Sequence, residues 1–139
     1  MDKVKEVSLK EFFLLVDKSD TKVCKTCTKE LYLSWGNITK EMDQALNVIG
    51  AFLNSDCYIN KNGYTEFHLE GTNYWSESAP IAIAYYPYHE SKIRVCNECS
   101  AVFLNYTDYS GHAPQNRVRL VRKNLIVLDD CDFDLNIKG

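Results

Sequence analysis

Apolar residues in this chain fall first into a helical rhythm and later into a strand rhythm. Leu9, Phe12, Phe13 and Val16 stand at i, i+3, i+4 and i+7, which predicts a short amphipathic helix to about Asp17. Ser8 and Glu11 open it as a capping box, each side chain satisfying a free amide at the helix start. Lys18 to Thr21 is a polar turn, and Lys22 to Trp35 reads as a cysteine turn leading into a strand. Leu31, Leu33 and Trp35 would share one face of that strand. Gly36-Asn37 breaks it. Thr39 then caps a second predicted helix, running to about Asn54, with Glu41 in the first turn where the helix dipole favours an anion. Met42, Ala45, Leu46, Ile49, Phe52 and Leu53 form its apolar stripe. Gly50 inside that stripe costs about 1 kcal/mol relative to Ala, so its presence points to the close approach of another backbone.

From Cys57 the pattern changes to sheet. Cys57 to Asn60, an Asn62-Gly63 turn and Tyr64 to Glu70 read as a hairpin, with Thr65, Phe67 and Leu69 alternating against Glu66, His68 and Glu70. Ile81 to Tyr86 is apolar throughout, the pattern of a central strand. Lys92 to Val95, Ala101 to Tyr106 and much of Arg117 to Leu128 complete the set; in the last, Val118 and Leu120 would face inward while Arg117, Arg119 and Lys123 face out. The expectation is one α+β domain over residues 1–139, a mostly antiparallel sheet of about seven strands with two packed helices.

Two short segments change the picture. The chain reads VCKTCTKELYLSW from Val23 and VCNECSAVFLNY from Val95, so Cys24 and Cys27 correspond to Cys96 and Cys99 at a separation of 72 positions. Each C-x-x-C turn presents two thiolates, and two such turns complete a tetrahedron of four sulfurs. This is the sequence form of paired zinc knuckles, a zinc-ribbon-like arrangement with a structural Zn2+. Two features depart from the usual pattern. The interval from Cys27 to Cys96 exceeds the ribbon spacing of about 15–20 residues, and Thr28 and Ser100 follow the second cysteines where glycine commonly eases the turn. The alternative is four reduced cysteines in a β-rich core. Cys57 and Cys131 have no partner at ligand spacing and read as small buried apolar residues. His68, His89 and His112 read as surface imidazoles, with His112, in the loop after the second knuckle, the candidate replacement ligand.

Composition narrows the function. The chain is 45% hydrophobic and 25% charged, so it can bury a core without a metal. A net charge of −3 argues against a general nucleic-acid binder. No apolar run approaches membrane-spanning length, and the first residues lack a signal-peptide pattern, so six cysteines read as reduced thiols or metal ligands in a cytoplasmic protein. There is no Gly-x-Ser-x-Gly elbow, His-Glu-x-x-His pair or phosphate-cradling glycine loop. A redox C-x-x-C would open a helix, and both pairs here lie between predicted strands. The expectation is a protein without catalytic activity.

Tyr86-Pro87-Tyr88, Cys96/Cys99, the Tyr106-Thr107-Asp108-Tyr109-Ser110-Gly111 stretch and the basic-apolar Arg117-Val118-Arg119 together resemble a group of small bacterial proteins encoded beside secreted polymorphic toxins. The resemblance covers about the last third of the chain and implies an immunity protein that binds and neutralises a cognate toxin. Nine Tyr, six Phe and two Trp suit a contact surface. The loop carrying Tyr109 and His112 is the expected contact region, because it follows the strand leaving the second knuckle. Asp129, Asp130, Asp132 and Asp134 would either steer a basic toxin or form a solvated terminus. The other function class is a zinc-ribbon protein that binds nucleic acid through Arg117, Arg119 and Lys123, or that serves as a subunit of a larger complex.

Overall fold

The computed structural model describes residues 5–19 and 24–128. Its strands are β1 (Glu6–Val7), β2 (Gly36–Asn37), β3 (Leu46–Phe52), β4 (Ile81–Ala82), β5 (Lys92–Cys96), β6 (Val102–Asp108), β7 (Gln115–Leu120) and β8 (Ile126–Val127). The helices are α1 (Leu9–Asp17), α2 (Lys40–Ala45) and α3 (Ser55–Asn62). Six strands form one sheet in the order β1-β3-β5-β6-β7-β2. It is antiparallel from β3 to β2, with β1 parallel to β3 at the edge, while β4 and β8 pair separately in parallel. The architecture is therefore α+β and mostly antiparallel, with three helices rather than two.

The sheet carries a core on each face. Along β6, Val102, Leu104 and Tyr106 enter one cluster with Phe12, Ile81, Ile83 and Ile93. Phe103, with Ala101 just before the strand, enters a second cluster containing Met42, Leu46, Val118 and the four cysteines. A strand between two cores is apolar on both faces, which explains the unbroken apolar run AVFL.

α1 starts as expected: the Ser8 hydroxyl accepts the Glu11 amide at 3.1 Å, and Leu9, Phe12 and Val16 are buried. The second helix also starts as expected but stops early. It is capped by Thr39, whose hydroxyl accepts the Met42 amide at 3.1 Å, but it ends at Ala45 and the chain continues as β3. Arg94 of β5 fixes this switch. Its guanidinium donates to the Asp43 carboxylate (2.7 Å) and to the carbonyls of Asp43 (2.9 Å) and Leu46 (2.6 Å), occupying acceptors a continuing helix would need. Leu46 to Ala51 then pairs with β5 through a register shift between Val48 and Gly50. Gly50 does meet another backbone: a Cβ there would lie 2.2 Å from the Lys5 carbonyl oxygen.

Other expectations are corrected in the same way. Residues 29–32 form a 3-10 turn instead of a strand, leaving Leu31 77% exposed while Trp35 is buried. Asn62-Gly63 ends α3 instead of turning a hairpin, with Gly63 at φ 54° and its amide bonded to the Ile59 carbonyl. Only Ile81–Ala82 of the expected central strand is paired, although Ile81 to Ala84 is fully buried. Arg117 to Leu128 divides into the end of β7, a 3-10 turn and β8. Arg119, expected to face solvent, is 1% exposed. It donates to the carbonyls of Leu33 (3.0 Å), Glu77 (3.0 Å) and Ala79 (2.9 Å) and to the Tyr88 hydroxyl (2.6 Å). The Asp129–Asp134 segment and Cys131 lie outside the described residues, as does the Lys22–Val23 start of the first cysteine segment. Among the described residues, no helix is long and apolar enough to cross a membrane.

Candidate metal centre

Cys24 and Cys27 lie in a turn that precedes the 3-10 segment, while Cys96 ends β5 and Cys99 lies in the turn to β6. The two turns are built alike. The Thr28 amide donates to the Cys24 carbonyl and the Ser100 amide to the Cys96 carbonyl, each at 3.0 Å. Thr28 (φ 48°) and Ser100 (φ 64°) both adopt the left-handed conformation and are the non-glycine residues with positive φ among the described residues. A non-glycine residue enters that region at a cost of about 1–2 kcal/mol, so the same turn has been imposed twice on unfavourable residues. The second turn is further anchored: the Cys96 amide bonds to the Ala101 carbonyl, and the Asn97 amide to the Ala45 carbonyl at the end of α2, both at 2.9 Å.

This brings together all four cysteines expected from the sequence. Their sulfurs lie within 4.8 Å of one another and every residue is buried. Cys24 and Cys96 approach to 3.9 Å between sulfurs, Cys27 and Cys99 to 3.7 Å. A tetrahedron of sulfurs each about 2.3 Å from a central Zn2+ has edges of about 3.8 Å, so the observed spacing fits a metal of that size. Met42, Leu46, Phe103 and Val118 wrap the cluster in an apolar shell, which lowers the local dielectric and strengthens any metal–thiolate attraction.

The protonation pattern also fits cation binding. At Cys24, burial opposes ionisation, but hydrogen bonds from the backbone of Cys27 and Thr26 outweigh it and bring the thiol down to about 7. At Cys27, burial pushes the thiol up, and the neighbouring sulfurs push it further. Burial likewise raises Cys99. One thiolate forms readily near neutrality while Cys27 and Cys99 resist, chiefly because they are buried and further because of the sulfurs beside them. A divalent cation at the centre reverses that resistance and displaces the remaining protons.

The cluster contains no histidine. His112 is exposed in the loop after β6. His68 pairs with Glu66 at 2.9 Å, and His89, expected at the surface, is 1% exposed with Nε2 2.7 Å from the Gly63 carbonyl. Cys57, expected to be buried, is exposed on α3.

Tyr109 is 75% exposed. It lines an open cleft of about 360 Å³ with Glu90, Lys92, Asn105, Thr107 and Asn116, which His112 does not reach. The cleft floor is a polar chain: Arg94 donates to Asn105 at 3.2 Å, and Asn105 to Asn116 at 2.7 Å. Sequence reading missed this surface. The signal was the Asn105 break in an otherwise apolar β6. The expected basic strand face is not there: Arg119 is buried, and Arg117 is held 3.2 Å from Asp108 and stacked 4.9 Å over the Trp75 ring. Comparison of the chain with known protein families, with curated proteins and with solved structures finds no match.

Proposed function

We propose that this chain is an immunity-type binding protein, which neutralises a bacterial toxin by occupying it and performs no chemistry of its own. We further propose that Cys24, Cys27, Cys96 and Cys99 hold one structural Zn2+ as four thiolates. The observation that carries this reading is the closed, buried set of four sulfurs. A tetrahedral ion held this way has no position left for water or substrate, so it shapes the protein and does not catalyse. The sulfur tetrahedron selects Zn2+ or iron over hard cations, and the four-ligand edge lengths suit a single ion.

The contact surface is built on Tyr109, just past the end of β6 away from the cysteines, and on Trp75 beside Arg117, which are exposed at 75% and 56%. Large, rigid aromatic side chains supply contact area at low entropic cost. Two experiments test the reading. Elemental analysis of protein purified without added metal should find about one zinc per chain, and Cys96→Ser should lose it, while Cys57→Ser keeps it. A metal-free, fully stable wild type ends the zinc part. Co-expression with the toxin encoded beside it should rescue growth and yield a stable complex, and Tyr109→Ala should weaken that complex. Rescue without physical association ends the binding part.

A further inference from the structure

The cysteine cluster supports a second chemistry besides metal binding. We propose that it is a peroxide-oxidisable site that forms two disulfides between the knuckles, Cys24–Cys96 and Cys27–Cys99, and releases its metal. This goes beyond the zinc reading and rests on it only for the identity of the released ion.

The argument is geometric. The two cross-knuckle pairs are already in thiol–thiol hydrogen-bond contact, at 3.9 Å and 3.7 Å. Each must close by about 2 Å to reach a covalent S–S length of about 2.05 Å. Each pair also joins an outer, slightly more exposed residue to an inner, more deeply buried one. Cys24 (7% exposed) faces Cys96 (1%), and Cys99 (8%) faces Cys27 (0%). Peroxide reaches the outer thiolate and the inner one resolves the product. The outer sulfur attacks a peroxide oxygen, the O–O bond breaks, and the hydroxide that leaves takes up a solvent proton, giving a sulfenic acid and water. The inner thiolate then attacks the sulfenic sulfur. The S–S bond forms, the S–O bond breaks, and the second hydroxide is protonated to water. Each disulfide thus gives two electrons to one peroxide molecule. With all four sulfurs oxidised, no thiolate ligand remains and the cation leaves.

The consequence is a site that keeps its tie in either redox state. Metal and disulfides both join residues 72 apart in sequence, so oxidation replaces one link between the knuckles by another. Disulfides within each C-x-x-C would instead release the two turns from each other.

The test uses the purified full chain carrying Cys57→Ser and Cys131→Ser, which leaves the four cluster thiols. Hydrogen peroxide is added stepwise, and thiol content, free zinc and disulfide connectivity are read by thiol titration, a zinc-sensitive dye and non-reducing peptide mass spectrometry. The expected result is loss of four thiols and about one zinc per chain, with peptides linked Cys24–Cys96 and Cys27–Cys99 in a monomer, all reversed by dithiothreitol. Adding Cys99→Ser should halve the thiol loss attributable to disulfides and leave the Cys24–Cys96 link. Linkage as Cys24–Cys27 and Cys96–Cys99, linkage between chains, or conversion to sulfinic acid overturns the proposal. Protein that arrives without any metal but still forms the cross-knuckle pairs removes the zinc reading and the metal release, and leaves the disulfide pairing standing.

Discussion

Gly50→Ala separates two readings of the same stretch by the sign of its effect. In a helix from Thr39 to Asn54, alanine at this position would stabilise by about 1 kcal/mol. In the structure it must destabilise. The added Cβ would sit 2.2 Å from the Lys5 carbonyl oxygen, 3.0 Å from its carbon and 3.0 Å from Val7 Cγ2. The first two are backbone atoms, so no side-chain rotation relieves the overlap.

The chain has two ways to respond. It can shift β1 outward while keeping its pairing, at the usual overpacking cost of about 1–3 kcal/mol. Alternatively it can release β1. That gives up the bonds from the Ala51 amide to Lys5 (2.8 Å) and from the Leu53 amide to Val7 (2.9 Å), each worth about 0.5–1.5 kcal/mol. It also exposes Val7, now 1% exposed, at about 1.5–3 kcal/mol. Release therefore costs about 3–6 kcal/mol, and the shift is the cheaper route. The expected loss is about 1–3 kcal/mol, measured as a lower urea midpoint with an unchanged m-value. Faster hydrogen exchange should be confined to the amides of Ala51 and Leu53. A variant as stable as wild type, or more stable, refutes the strand geometry at Gly50.

Three other outcomes are expected. Arg119→Met should destabilise by about 2 kcal/mol or more, since it strands the buried Ala79 carbonyl and Tyr88 hydroxyl at about 1–3 kcal/mol each, while Arg122 still donates to the Leu33 and Glu77 carbonyls. Arg119→Lys should recover only part of this, because an ammonium cannot reproduce the planar fork, and a fully stable Met variant refutes the role. Alkaline pH should unfold the protein. Burial raises Tyr74, Tyr88 and Tyr106, and burial with the nearby carboxylates takes Tyr86 up to about 12. The folded state therefore holds protons that the unfolded state gives up from about pH 10, and stability falls as pH rises between about 10 and 12. In a variant with the exposed Tyr64 and Tyr109 replaced by Phe, ionisation of Tyr74, Tyr86, Tyr88 and Tyr106 while the structure is still intact refutes this. On the proposed zinc reading, chelation should speed amide exchange first around Met42 and Leu46, with the cluster around Phe12, Ile81 and Leu104 protected for longer. Uniform exchange over both clusters refutes that order.

The cysteine cluster was legible because each half is a local signature, and the likeness of the two flanks supplied the pairing across the long interval. Helix α1 was legible for the same reason, its cap and stripe being contained within ten residues of sequence. The misread segments are those whose conformation is decided by something distant. Met42 to Leu53 satisfies a helical stripe, but Arg94 captures the carbonyls at the helix end and β5 supplies hydrogen bonds to the residues beyond it. The β-branched pair Val48-Ile49 and the glycine beside it were the local hint. Asn62-Gly63 shows the ambiguity of a left-handed residue, which stops a helix as readily as it turns a hairpin. Arg119 was misplaced because in–out alternation assumes one wet face, and this sheet has a core on both.

The separation of the two knuckles also has a consequence for how the protein is made. Cys99 is synthesised 72 residues after Cys27. At a translation rate of about 5–20 residues per second, that is an interval of about 4–14 s. During it the first two thiols have emerged, or are emerging, with no second pair to complete a site. On the proposed zinc reading, an ion held by all four sulfurs cannot be bound as the amino-terminal segment leaves the ribosome. The segment must wait, exposed to competing thiols and oxidants, until Cys99 has been delivered, and a shortage of free metal would be felt at that late step.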